Sequence, residues 1–253
     1  KTASSGNLIA ALGMGLGVLI ALFAPMESGD DNYLIIIGAL VFGGGIGLVV
    51  AGKVLMTKMP EMVSLFNGLG GACALLISIA ELLNFHDSGT FELAPYLTTL
   101  LALLIGSIAF TGSLVAYGKL SGNIKDSWKL PRANMINMIL LLTLIAASVY
   151  QLQVLDTMDL VYIIMILSLI YGITFVLNVG GADMPVIISI LNALTGVSAA
   201  LAGIIYDNMI MLMGGILVGS SGAILTLLMC RAMNRSLLNV LAGGFGGTSS
   251  GAV

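Results

Sequence analysis

Charge is what this sequence has least of. Only 8% of its 253 residues are Asp, Glu, Lys or Arg, whereas 58% are hydrophobic and mean hydropathy is +1.11. Soluble domains carry roughly 25% charged residues. A chain this poor in charge cannot cover a water-facing surface, which excludes a water-soluble monomer. Disorder is excluded as well, because it needs low hydrophobicity and high net charge. A formal charge of −3 leaves no basic footprint for nucleic acid. The two cysteines, Cys73 and Cys230, lie far apart in apolar stretches and form neither a disulfide framework nor a zinc motif. A single histidine, His86, excludes a multi-histidine metal site within this chain.

What is present instead is a series of long apolar runs. Crossing the hydrocarbon core takes about 20 apolar residues in a helix. Eight such stretches are expected, at approximately 7–25, 33–53, 61–83, 95–117, 135–154, 160–179, 185–205 and 209–230. Eight spans of about 21 residues use about 168 positions, so only short loops and a tail remain. The expected fold is all-α: a polytopic transmembrane helix bundle. Residues 1–242 form its membrane domain, and 243–253 read as the start of a flexible linker towards a further domain. The opening Lys1–Gly6 lacks the basic n-region of a signal peptide, and the missing initiator Met suggests a trimmed or processed chain. No convincing internal repeat is visible.

Nearly every ionisable residue is expected between spans. The acidic groups Glu27, Asp30 and Asp31, then Glu81, Asp87 and Glu92, then Asp156 and Asp159, then Asp207 mark one set of connections. Lys53 and Lys58, then Lys119, Lys125, Lys129 and Arg132, then Arg231 and Arg235 mark the alternate set. By the positive-inside rule the basic connections face the cytoplasm, or the matrix of a mitochondrion. Both chain ends are then expected on that side. Asp183 is the exception, an acid on an inner connection without a base. His86 reads as an ordinary loop histidine.

Small residues recur at helical spacing: Asn67, Gly70, Gly71, Ala74 and Ser78; Gly106, Ala109, Ser113 and Ala116; Gly215, Gly219, Gly222 and Thr226. Such stripes allow close helix contact in lipid, and that is their expected role, as it is for the crowded Gly43, Gly44, Gly45 and Gly47. None of these glycines forms a dinucleotide-binding G-x-G-x-x-G frame after a strand.

Depth singles out three polar side chains. At 1.5 Å per residue, Asn67 lies roughly 13 Å beyond Lys58, Ser113 roughly 9 Å before Lys119, and Asn192 roughly 13 Å beyond Asp183. All three fall at similar depth in the inner half. A hydrogen-bonded layer there could hold water and pass protons, or could be interhelical glue alone, and both readings stay open. Asp183 sits in Gly180–Pro185, a short glycine-rich connection that could move a carboxylate at the membrane surface or simply hold a solvated loop aspartate, and both readings stay open.

Met56–Val63, Phe110–Lys119, Gly180–Pro185, Gly219–Ile224, Met229–Ser236 and Gly243–Gly246, in this order, resemble the β subunit of proton-translocating NAD(P) transhydrogenase. The resemblance covers essentially the whole chain. It implies a membrane domain that conducts protons coupled to hydride transfer between NAD(H) and NADP(H), in a bacterial plasma membrane or mitochondrial inner membrane. It implies an α subunit carrying the NAD(H) domain and membrane helices of its own. It also implies an NADP(H)-binding domain after the linker, a further span ahead of position 1, and a dimer of αβ units. Neither nucleotide, metal nor hydride-transfer site is expected in this chain itself. By matching position, Asn192 and Ser113 are implied in the proton pathway. Asp183 is implied in linking the membrane domain to NADP(H) binding, and Arg231 and Arg235 at the hinge to that domain. Asn67 departs from the many relatives that carry histidine there. Asparagine takes no proton near neutral pH, so the titrating group is expected on the α portion. The rival readings are a stand-alone secondary transporter or channel, which should show broken helices and repeated halves, and a passive membrane anchor.

Overall fold

A computed structural model describes residues 2–23, 32–89, 91–128, 130–154, 157–234, 236–237 and 240. Arg235 and the proposed linker 243–253 lie outside the described residues, as do Glu27, Asp30, Asp31, Lys129 and Asp156.

The described residues form eight long helices and no strand. They are α1 (Thr2–Phe23), α2 (Tyr33–Lys53), α3 (Met59–Ser88), α4 (Leu93–Leu120), α5 (Ala133–Gln151), α6 (Met158–Leu177), α7 (Met184–Ile205) and α8 (Met209–Ala232). All eight are long and apolar enough to cross a membrane, in agreement with the expected all-α polytopic bundle. Local chemistry sets the ends. Pro60 and Pro185 occupy the first turns of α3 and α7, where no backbone donor is lost. The Asn208 side chain accepts from the Met211 backbone N–H at 3.0 Å and caps α8. Gly89, at φ +64°, closes α3 in the left-handed conformation.

α3 corrects one expectation. It continues to Ser88 and takes in Glu81, His86 and Asp87, which were expected to lie in a connection. Nothing before Gly89 breaks the helix, so backbone hydrogen bonding carries it on past the apolar run. Its 30 residues span about 45 Å, more than the ~30 Å hydrocarbon core.

The chain divides into two compact units, Lys1–Lys53 and Val54–Val253. In the first, α1 and α2 approach along Val18, Ala21 and Leu22 on one side and Ile36 and Leu40 on the other. α2 buries no residue. An added Cβ at Gly43, Gly44, Gly45 or Gly47 meets nothing within this unit, so the close packing expected of those glycines is not made there.

In the second unit α4 is the central and most buried helix. α3, α6 and α7 pack around it, α8 packs on α7 and α5 on α6. Lipid tails are as apolar as leucine, so these helices hold together by van der Waals fit. The glycine stripes provide it. A Cβ on Gly71 would lie 2.7 Å from the Phe110 nitrogen of α4. One on Gly196 would strike the Gly219 backbone, and one on Gly215 the Ala200 backbone. The core falls into two clusters. One, built on Val115, Phe175, Val179, Met184, Ile187 and Cys230, lies at the end of the unit where α4, α6 and α8 finish and α7 begins. This is the basic end. The other, built on Leu82, Tyr96, Leu100, Leu103, Leu144 and Ile164, fills the opposite half.

Candidate functional site

Two of the three depth-selected residues touch. The Asn67 amide donates to the Ser113 hydroxyl at 2.9 Å. One turn earlier on α3, the Ser64 hydroxyl donates to the Ser113 carbonyl at 2.9 Å. Gly68 makes the approach possible, since its absent Cβ would lie 3.2 Å from that of Ser113. Ser64 and Ser113 are fully buried, and Asn67 is half-buried.

Asn192 lies at the same height on α7. α3 and α7 start from the basic end and run parallel. They meet where a Gly70 Cβ would lie 3.0 Å from the Thr195 methyl. Asn67 and Asn192 each lie three residues nearer the basic end, on the same stripes, at one height. On the α4 side Gly112, next to Ser113, takes the Leu191 side chain into the space of its missing Cβ, with Leu191 next to Asn192. Asn192 is half-buried, and its side chain makes no hydrogen bond to a described residue. The layer therefore has amide and hydroxyl groups able to accept and donate, yet no group in it ionises near neutral pH. The Leu82–Tyr96–Leu100–Leu103 cluster lies between this layer and the far end.

The remaining candidates sit at the basic end. Asp183 is half-buried in a short 3-10 turn, Gly181–Asp183, its backbone N–H bonded to the Gly180 carbonyl at 3.0 Å, and α7 begins at the next residue. Arg231 is exposed in the last turn of α8.

Lys119 is the residue that sequence reasoning placed wrongly. It was expected in a connection between spans. Instead it is buried in the last turn of α4, its side chain only 1% exposed. Its ammonium donates to the Leu177 carbonyl at 2.5 Å and the Val179 carbonyl at 2.6 Å, where α6 ends. The Asp126 carboxylate lies 4.0 Å away. The only sign in the sequence is that Lys119 is flanked by Gly118 and Leu120 rather than by polar residues.

At the opposite end, Tyr206 follows α7. Burial, and then the Glu81 carboxylate that it meets, raise its phenol above the ordinary value. Among the described residues no three His, Cys, Asp or Glu side chains converge as metal ligands.

The comparisons bear on all of this. A family model described as NAD(P) transhydrogenase beta subunit matches residues 1–253. The chain belongs to that family. Two Rhodospirillum rubrum sequences named NAD(P) transhydrogenase subunit beta are each 37% identical over 251 residues, covering 97% of this chain and 53% of their own length. The chain thus spans about half the length of the curated relatives it matches. Family membership and eight span-length helices make it a membrane protein of the transhydrogenase family, and a stand-alone transporter is not favoured.

Proposed function

We propose that this chain is the proton-conducting membrane domain of a transhydrogenase, moving protons as the complex transfers hydride between NAD(H) and NADP(H). The observation that carries the reading is the Asn67–Ser113 hydrogen bond, level with Asn192 at the α3–α4–α7 junction, in a chain of this family. Ser64 holds Ser113 by its carbonyl and leaves the Ser113 hydroxyl proton for a further acceptor. Water lodged among Asn67, Ser113 and Asn192 would carry the proton, because asparagine and serine hydrogen-bond without ionising. The apolar cluster around Leu100 and Leu103 closes the outer side.

Asp183 serves as the inner gate, answering to an NADP(H)-binding domain joined through the segment containing Arg231 and Arg235. Hydride transfer belongs to the soluble domains. The partner is an α subunit whose membrane helices supply the titrating group that Asn67 cannot. The complex is a dimer of αβ units. It sits in a bacterial plasma membrane or mitochondrial inner membrane, with both ends of this chain on the cytoplasmic or matrix side. Gating of this kind needs two conformations of unequal affinity for the nucleotide states.

The test is the complete complex in proteoliposomes, with internal pH followed by a dye during turnover of NADH with an NADP analogue. An uncoupler-sensitive pH change tied to hydride transfer is expected. Turnover without a pH change would make the chain a passive anchor, and no turnover would return the transporter reading.

A further inference from the structure

We infer that Lys119 is a positioning residue for coupling: its buried ammonium holds the connection that carries Asp183 and ties that connection, through α4, to the polar layer. The inference rests on the proton-conducting reading above.

A buried ammonium is costly unless hydrogen-bonded and compensated. Lys119 is both. It donates to the Leu177 and Val179 carbonyls, 2.5 and 2.6 Å away. Carbonyls at the end of a helix lack intrahelical donors and carry the negative end of the helix dipole. The Asp126 carboxylate supplies a counter-charge 4.0 Å off, from the connection between α4 and α5. That carboxylate also rests on the Gly180–Asp183 segment, since a Cβ at Gly181 would lie 3.0 Å from an Asp126 oxygen. A second tie secures the same two connections, because the Leu130 backbone N–H donates to the Asn178 side chain at 2.8 Å.

Three pieces of chain therefore converge on one ammonium: the last turn of α4, the α4–α5 connection and the α6–α7 connection. Each leads somewhere. Along α4, Ser113 is roughly 9 Å from Lys119. Along the α6–α7 connection, Asp183 opens α7, which carries Asn192. Asp126 is 64% exposed, so the aqueous phase reaches the clamp through it. A soluble domain that draws Asp126 away weakens the compensation of Lys119. The ammonium then gives up its hold on the Leu177 and Val179 carbonyls, and the α6–α7 connection shifts against α4. The charge of Lys119 is what makes this clamp responsive. The Asn178 tie is neutral and serves as its structural control.

The experiment measures protons moved per hydride transferred by the complete complex in proteoliposomes. The variants are Lys119→Met, Lys119→Arg, Asp126→Asn and Asn178→Ala. Lys119→Met is expected to lower the proton-to-hydride ratio about fivefold or more. Asp126→Asn is expected to lower it in the same direction, and Lys119→Arg to restore most of it. Asn178→Ala is expected to change expression or Tm while keeping the ratio. A wild-type ratio in Lys119→Met, or an equal fall in Asn178→Ala, overturns the inference while the proton-conducting reading stands. Should Lys119→Met not assemble, Asp126→Asn decides: an unchanged ratio overturns the inference and a lowered one supports it. Wild-type turnover with no proton movement overturns both.

Discussion

Asn67, Ser113 and Asn192 differ in what each contributes. Ser113 is the fixed point, held by its carbonyl and its hydroxyl from α3. Asn192 is the open one, half-buried at the same level, its side chain without a hydrogen bond to a described residue. Replacing Asn192 with Leu keeps its approximate volume and removes its polar atoms. The protein should fold and bind its partners, while coupled proton movement in proteoliposomes is lost; normal pumping would remove Asn192 from the pathway. Ser113→Ala removes only the hydroxyl that accepts from Asn67. Interhelical hydrogen bonds in membranes average about 0.6 kcal/mol, so Tm should fall little. A clear loss of proton flux in Ser113→Ala despite near-normal Tm would separate conduction from glue. The sequence alone could assign these three residues a depth, by counting along helices. It could not assign a facing direction, because helices apolar on all sides have no marked inner face. Lys119 shows the same limit from the other side, since composition cannot tell a lysine in water from one capping a neighbouring helix.

The helices themselves were legible to different degrees. Tyr33–Lys53 starts and stops where the apolar run does, because the loop charges and the helix end coincide. α3 runs five residues beyond its expected limit, because a helix stops where its hydrogen bonding is interrupted, here at Gly89, and not where polarity begins. The stripe of α8 was readable too, and its closest approaches explain why glycine stands there. Gly215→Ala would set a methyl group on the Ala200 backbone of α7 and force the two helices apart. Overpacking of this kind costs about 1–3 kcal/mol, which thermal unfolding of the detergent-purified complex should register as a lower Tm. At the opposite end, the raised Tyr206 phenol favours the folded state while it is protonated. That contribution is complete below the ordinary tyrosine pKa and is lost as pH rises through the raised value. Tyr206→Phe should therefore lower the late-titrating part of the tyrosinate absorbance of the native complex. A titration identical to that of the variant would contradict the Glu81 contact.

At the scale of the molecule, the alternation of basic and acidic connections makes a simple prediction. Single cysteines at Ser121 and Asp207, in a chain with Cys73 and Cys230 replaced, should react with an impermeant thiol reagent from opposite faces of the membrane. Labelling from the same face would break the proposed topology. Low charge and eight long apolar runs were enough to determine a polytopic helical membrane protein, because twenty apolar residues have one stable arrangement in lipid, a helix with all its backbone groups bonded internally. The ordered motifs determined the family. What only the tertiary structure decided was which helices meet and through which faces. It put α4 at the centre of the Val54–Val253 unit, set Asn67 against Ser113 with Asn192 at the same height on α7, and buried Lys119 under the end of α6. Those outcomes depend on glycine-by-glycine fit between helix backbones, and in lipid that fit, rather than hydrophobicity, selects the partner.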